Sequence, residues 1–276
     1  MRGNDGEVEW CYTAKKSPGN ALPMTITSYL LLFAGGMLAG IINVMAGGAG
    51  FMTFPLLIAA GLTEMEANAA NFVALIAPNV VGTIVYAKEL KEVRENLVLR
   101  LVIAVVGGTI GSLIFVYTPE TSFHRLIPWL LTFATASFAA GPAIKHWLET
   151  HHDFDASRWL WLSFVLEFIV YVYGGYFGLG MGIILFAIYA IFSQMSMHHA
   201  NALRNVTIGL MTFVSIFIFV GGGLVKWVPS LIMMAGAVCG GYFAAKIARR
   251  VPTLKVRIAI LCWSVLLTAF SFWKYR

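Results

Sequence analysis

Along this chain, apolar residues run in eight long stretches separated by short polar or charged segments: Pro23 to Leu62, Ala67 to Ala87, Leu97 to Tyr117, Leu126 to Ile144, Trp159 to Phe192, Ala200 to Gly222, Val228 to Ala245 and Val256 to Phe272. Each is long enough to hold a helix that crosses a bilayer, which takes about 20 residues. The first and the fifth are too long for a single span and predict two helices apiece. Eight to ten membrane helices are therefore expected in an all-α integral membrane protein. Pro78, inside the second stretch, removes a helical hydrogen bond and predicts a kink there.

Composition agrees with this pattern. Of the 276 residues, 59% are hydrophobic and only 12% charged, against about a quarter charged in an ordinary soluble domain. The formal charge of +6 does not point to nucleic acid, because the bases cluster in short loops between apolar stretches and report orientation instead. Cys11, Cys239 and Cys262 form no CxxC pair, so no disulfide framework is implied. The first residues, with Arg2, Asp5, Glu7, Glu9, Lys15 and Lys16, lack an apolar core and read as a polar tail over 1–24. No phosphate-binding glycine loop is present, so transport, if any, is secondary or passive, and no cofactor is expected. An enzyme embedded in the membrane would need a nucleophile with its base, or a metal cluster, facing a cavity. The sequence displays neither. His198-His199 and His151-His152-Asp153 are the nearest to metal-ligand patterns; the first has no Asp, Glu or Cys within a turn and adjacent positions do not share a helix face, and the second, more ligand-like, reads as a solvated loop in the linker.

The chain repeats itself. Ala67-Asn68-Ala69-Ala70-Asn71-Phe72 is echoed by Ala200-Asn201-Ala202-Leu203-Arg204-Asn205, and each copy follows a glycine-broken apolar stretch, with Gly47, Gly48 and Gly50 in one and Gly178, Gly180 and Gly182 in the other. The most basic loops, Lys88 to Arg94 and Lys246 to Arg257, are expected in the cytoplasm. Counting spans from them makes the two echoed motifs head helices of opposite direction, and it makes the first and fifth stretches hairpins that enter and leave on one side. Two inverted-topology repeats follow, over 25–145 and 158–276, joined by a polar linker over 146–157. Each is a broken or re-entrant hairpin followed by three transmembrane helices, and both termini are expected outside.

A fold-back inside the bilayer leaves backbone N–H groups unpaired at the start of its second arm, near Phe51 and Ile183, and it must line a cavity. Two electropositive helix starts meeting there favour an anion. Asn201, Arg204 and Asn205 share a helix face at i, i+3 and i+4, as do Asn68 and Asn71. The candidate substrate contacts are therefore Arg204, Asn201, Asn205, Asn68, Asn71, Gly48, Gly50, Phe51, Gly180 and Gly182. Arg204 offers the permanent planar charge suited to an oxyanion; the plainer alternatives are an Arg204 that snorkels to the interface and asparagines that serve as interhelical glue. Glu167, within an apolar arm, is a candidate proton-coupling carboxylate or a packing residue.

These residues resemble the TauE/SafE sulfite exporter family, also called the toluenesulfonate uptake permeases. The likeness runs through Ala46-Gly47-Gly48-Ala49-Gly50-Phe51 to Pro55, Ala67-Asn68-Ala69-Ala70-Asn71, Thr118-Pro119-Glu120, Pro128-Trp129-Leu130-Leu131, Phe133-Ala134-Thr135, Tyr173-Gly174-Gly175-Tyr176-Phe177-Gly178, Asn201-Ala202-Leu203-Arg204-Asn205 and Ala248-Arg249-Arg250-Val251-Pro252. Departures fall at Ala49, in what is often a longer glycine run, at Ala70, where threonine is common, and at Arg204, where lysine is frequent. The resemblance implies transport of small sulfur-containing or organic anions such as sulfite, sulfonates or sulfoacetate, often outward, by a multi-pass protein of the cell inner membrane. An importer or a channel for the same anions fits the sequence equally. The partners expected are the anion and the bilayer, with no nucleic acid and an open oligomeric state.

Overall fold

The computed structural model describes residues 26–45, 48–93, 96–150, 159–193, 195–247 and 253–275. Among them every regular element is a helix: α1 (Ile26–Met45), α2 (Gly50–Ala59), α3 (Glu64–Val85), α4 (Ala87–Glu92), α5 (Leu97–Tyr117), α6 (Glu120–Thr150), α7 (Leu160–Tyr176), α8 (Met181–Phe192), α9 (Met197–Gly221), α10 (Trp227–Ile247) and α11 (Thr253–Lys274). Six of these, α1, α3, α5, α6, α9 and α11, contain segments long and apolar enough to cross a membrane. The apolar side chains they leave exposed, such as Val102, Phe217 and Leu266, have no core to join and suit contact with lipid.

Both long stretches split into a longer and a shorter helix, as their length required. In the second, the chain turns at Gly178 and Gly180, with φ of +79° and +81°, a left-handed backbone that glycine adopts without a Cβ clash. In the first, Gly48 has φ of +82° and α2 starts two residues later. Gly47 lies outside the described residues, as does His151-His152-Asp153. Helix starts follow capping chemistry: Thr63 and Glu66 form a reciprocal capping box on α3, and Ser196 caps α9 through the His199 N–H. α3 runs on through Pro78. α6 continues to Thr150, five residues into the segment expected as linker, because nothing before that point in Ile144 to Thr150 breaks a helix.

Small residues set the helix packing. α1 lies along α10 and α5 along α7, and these are the most extensive pairings in the molecule. A Cβ at Gly36, Gly40, Gly236 or Gly240 would overlap a carbonyl oxygen of the facing helix, and so would one at Gly111 or Gly175. The spacing of four residues between Gly36 and Gly40, and between Gly236 and Gly240, brings the two backbones into direct contact. Gly174 and Gly175 therefore belong to close packing within α7 rather than to the turn. Gly111→Val, which would drive a branched side chain into the Val172 carbonyl, is expected to destabilise the protein by about 3 kcal/mol, the upper end of the cost of overpacking. Loss of the monodisperse peak on size-exclusion chromatography in detergent measures this.

The contacts also fix relative directions. Gly36 faces Met233 and Gly40 faces Ala237, so α1 and α10 run parallel; Gly107 faces Phe168 and Gly111 faces Val172, so α5 and α7 do too. α3 and α9 run antiparallel, since Gly82 meets Asn205 near the end of one and the start of the other, while Phe72 meets Phe219 at the opposite ends. α6 and α11 are likewise antiparallel, with Trp129 against Phe272 and the Phe138 carbonyl against Arg257.

Candidate functional site

Where the two short helices begin, the bundle borders a partly open cavity of about 760 Å³. Its wall includes Gly48, Gly50 and Phe51 from the first turn region, Gly178, Gly180 and Gly182 from the second, Asn71 from α3, and Asn201, Arg204 and Asn205 from α9. Of the ten residues singled out as substrate contacts, nine line this one space. The tenth, Asn68, does not: its Nδ2 donates to the Tyr176 carbonyl at 3.0 Å, which makes it a tie between α3 and the end of α7. Asn68 and Asn71 are three residues apart, yet the first faces a neighbouring helix and the second the cavity.

Each tip is held by a side chain from elsewhere. Pro55 has no N–H to offer the Phe51 carbonyl four residues before it, and the Trp263 indole of α11 donates to that carbonyl at 3.0 Å. At the other tip Tyr173 donates its hydroxyl to the Leu179 carbonyl at 2.6 Å. Thr53 donates to the Asn71 side-chain oxygen, leaving the Asn71 amide nitrogen beside Gly50. The helix starts are less open than a bare fold-back would be, because the Phe51 N–H bonds to the Gly48 carbonyl and the Ile183 N–H to the Gly180 carbonyl. At α8 the free donors are instead those of Met181 and Gly182, for which no acceptor stands among the described residues.

Polar contacts within the cavity are sparse. Arg204 donates to the Asn205 Oδ1 at 3.4 Å. Arg257, on α11, also lines the space; it donates to the Phe138 carbonyl at 2.7 Å and lies 4.9 Å above the Phe138 ring. Sequence reading assigned Arg257 to a basic loop, because a cation at the start of a helix looks like an orientation signal. Only the fold shows it turned inward.

Glu167 does not reach this cavity. It is fully buried and paired with Arg100 of α5, itself 1% exposed. Ser163 donates to the same carboxylate oxygen at 2.6 Å, Arg100 donates also to Ser193 at 2.7 Å, and the guanidinium lies over the rings of Phe164 and Tyr189. Arg100 went unremarked in the sequence, although the rule that flagged Glu167, a charge inside an apolar run, applies equally to Leu97-Val98-Leu99-Arg100-Leu101. The pair ties α5 to the α7–α8 hairpin.

The cavity extends toward the end of the bundle where α3 finishes and α9 and α11 begin, reaching Tyr86, Asn201 and Arg257. There His199 contacts Glu92 at 2.8 Å. The opposite end is crossed by charges in contact: Glu64 accepts from Lys274 at 3.1 Å and Tyr275 at 2.5 Å and stands 3.1 Å from His124, while Lys226 pairs with Glu66 at 3.0 Å. Burial and the bonded Glu64 carboxylate push the Tyr275 phenol above its usual range. Glu64, Glu120 and His124 bring potential ligand atoms within 4.8 Å of one another, but the Lys274 ammonium already occupies the Glu64 carboxylate.

Comparison with known proteins gives a consistent result. The family model described as "Sulfite exporter TauE/SafE" matches residues 32–271. The chain is 22% identical over 244 residues to a "Probable membrane transporter protein" of Haemophilus influenzae, covering 87% of this chain and 92% of that one. It is 22% identical over 242 residues to "Probable membrane transporter protein YfcA" of Escherichia coli K12, covering 87% of each. Against "Probable membrane transporter protein ORF9" of a Sinorhizobium species it is 26% identical over 240 residues, covering 83% and 88%. No solved structure matches the chain.

Proposed function

Since this multi-pass membrane protein belongs to the sulfite exporter TauE/SafE family, we propose that it is a secondary transporter of small sulfur-containing or organic anions, of the sulfite, sulfonate and sulfoacetate class, acting outward across the cell inner membrane. The observation that carries this reading is the convergence of both hairpin turns and the Asn201, Arg204, Asn205 face on one cavity. A guanidinium is fixed in charge and planar, and amide side chains donate as well as accept, so the wall suits an oxyanion.

Alternating access between two inverted halves accounts for the rest. Its support is the antiparallel course of the matched helices α3 with α9 and α6 with α11, together with the asymmetry of the two ends. One end is reached by the larger cavity and carries the basic segments, the cytoplasmic mark; at the other, Glu64, His124, Lys274 and Tyr275 are in contact beside a smaller cavity of about 220 Å³ that reaches Phe51 and Leu179. An anion would load from the cytoplasm in this state and leave once those contacts part. No nucleophile and base face the cavity together among the described residues, so an enzymatic reading has less support.

Counterflow in proteoliposomes is the test. Vesicles preloaded with unlabelled sulfite or a sulfonate are expected to accumulate the labelled anion transiently above equilibrium. Uptake without such an overshoot would identify a channel, and no uptake of any member of the class would refute the assignment.

A further inference from the structure

Among the described residues, two guanidinium groups line the cavity and no lining residue is acidic. Every ion pair among the described residues lies elsewhere. Arg204 approaches α8 from one flank: a Cβ placed on Gly182 would stand 3.7 Å from its Cδ. Arg257 approaches from another, since a Cβ placed on Gly141 would overlap its Nη2 and stand 3.3 Å from the Ile183 Cγ2. Met181 and Gly182 also line the cavity, and their N–H groups find no backbone acceptor among the described residues. Among the described residues the polar partners of both cations are neutral, an amide oxygen for Arg204 and a carbonyl for Arg257. Arg100, by contrast, is matched by Glu167.

Both side chains are half-buried in the cavity wall, and a cation held against partly apolar surroundings with no counter-charge gains from an opposite charge that arrives beside it. Here the deficit is two negative charges. A monoanion would leave one guanidinium uncompensated, whereas a dianion balances both. We propose that Arg257 is a second anion anchor beside Arg204, and that the cavity selects dianions over monoanions of similar size. This rests on the anion-transport reading above and adds its charge class.

The experiment is binding to the purified full-length protein of two anions of similar length, sulfoacetate with two charges and isethionate with one, by calorimetry at pH 7. Sulfoacetate is expected to bind about 10-fold tighter or more, the range set by one extra charged hydrogen-bonded contact. Arg257→Gln should bring sulfoacetate down to the isethionate level, weakening sulfoacetate about 10-fold more than isethionate, because the second anchor is bonded in full only by the second charge. Arg257→Lys, which keeps the charge but not the fork, should retain the preference. A purely structural role for Arg257 through Phe138 would weaken both anions alike, and that outcome overturns the anchor. If Arg257→Gln fails to fold, the wild-type comparison still decides: equal affinity for the two anions overturns dianion selection while leaving an anion site in place. Binding of neither anion would overturn the transport reading itself.

Discussion

Arg204→Gln should remove half or more of the stabilisation that sulfite or a sulfonate confers on the purified protein, without lowering the stability of the anion-free form. The two halves of this expectation have separate causes. A ligand that binds only the folded state raises stability by about 2.7 kcal/mol at a concentration 100 times its dissociation constant. Removing a charged, forked donor from the site weakens binding by about 1.5–3 kcal/mol, or roughly 10- to 150-fold, which cuts the shift to between about 1.4 and 0.3 kcal/mol at the same anion concentration. In the anion-free protein Arg204 has no carboxylate partner among the described residues and rests on a neutral amide. Taking away an uncompensated cation therefore leaves stability unchanged or slightly higher. Thermal unfolding with and without anion reads both quantities. If Arg204 only anchored the helix at the interface, the anion-free melting point would fall and the anion shift would survive.

The Arg100 and Glu167 pair predicts the opposite pattern. Arg100→Leu alone, or Glu167→Leu alone, should destabilise the protein by about 3–5 kcal/mol, since each strands a buried charge. The double leucine variant should recover most of that loss, because two apolar side chains of adequate volume replace two matched ions and no orphan remains. Ser163 and Ser193, which also bond the pair, keep the recovery from being complete. Denaturation in mixed micelles gives the three stabilities and hence the coupling energy. Transport by the double variant adds a second readout: a pH dependence equal to that of the wild type marks the pair as a clamp between α5 and the α7–α8 hairpin, and a lost pH dependence would make Glu167 a proton carrier.

Much of the architecture was legible in advance because membrane helices announce themselves locally. Twenty apolar residues cannot be solvated, and a stretch of forty cannot be one span, so the division of Pro23 to Leu62 into α1 and α2, and of Trp159 to Phe192 into α7 and α8, followed from length alone. The glycines at 48, 178 and 180 announced turns because no other residue adopts those backbone angles cheaply. The glycines at 36, 40, 111, 236 and 240 carried no such mark. Their role exists only against the facing carbonyls of a second helix.

The candidate site divides along the same line. The echoed asparagines and Arg204 stood out by their repetition and their charge within apolar surroundings, and spacing on one helix placed Asn201, Arg204 and Asn205 together. Spacing on the other helix paired Asn68 with Asn71 just as firmly, and the fold separates them, since a helix face is wider than the opening it borders. The pairing of Arg100 with Glu167, the inward turn of Arg257 and the ion contacts around Glu64 became visible only in three dimensions. What the chain determined by itself was therefore the set of helices, their breaks and the polar residues placed among them, because hydration and backbone sterics act residue by residue. What the tertiary structure alone decided was which of the buried charges find partners and which are left facing the cavity, because an electrostatic balance belongs to a place in space where distant segments meet.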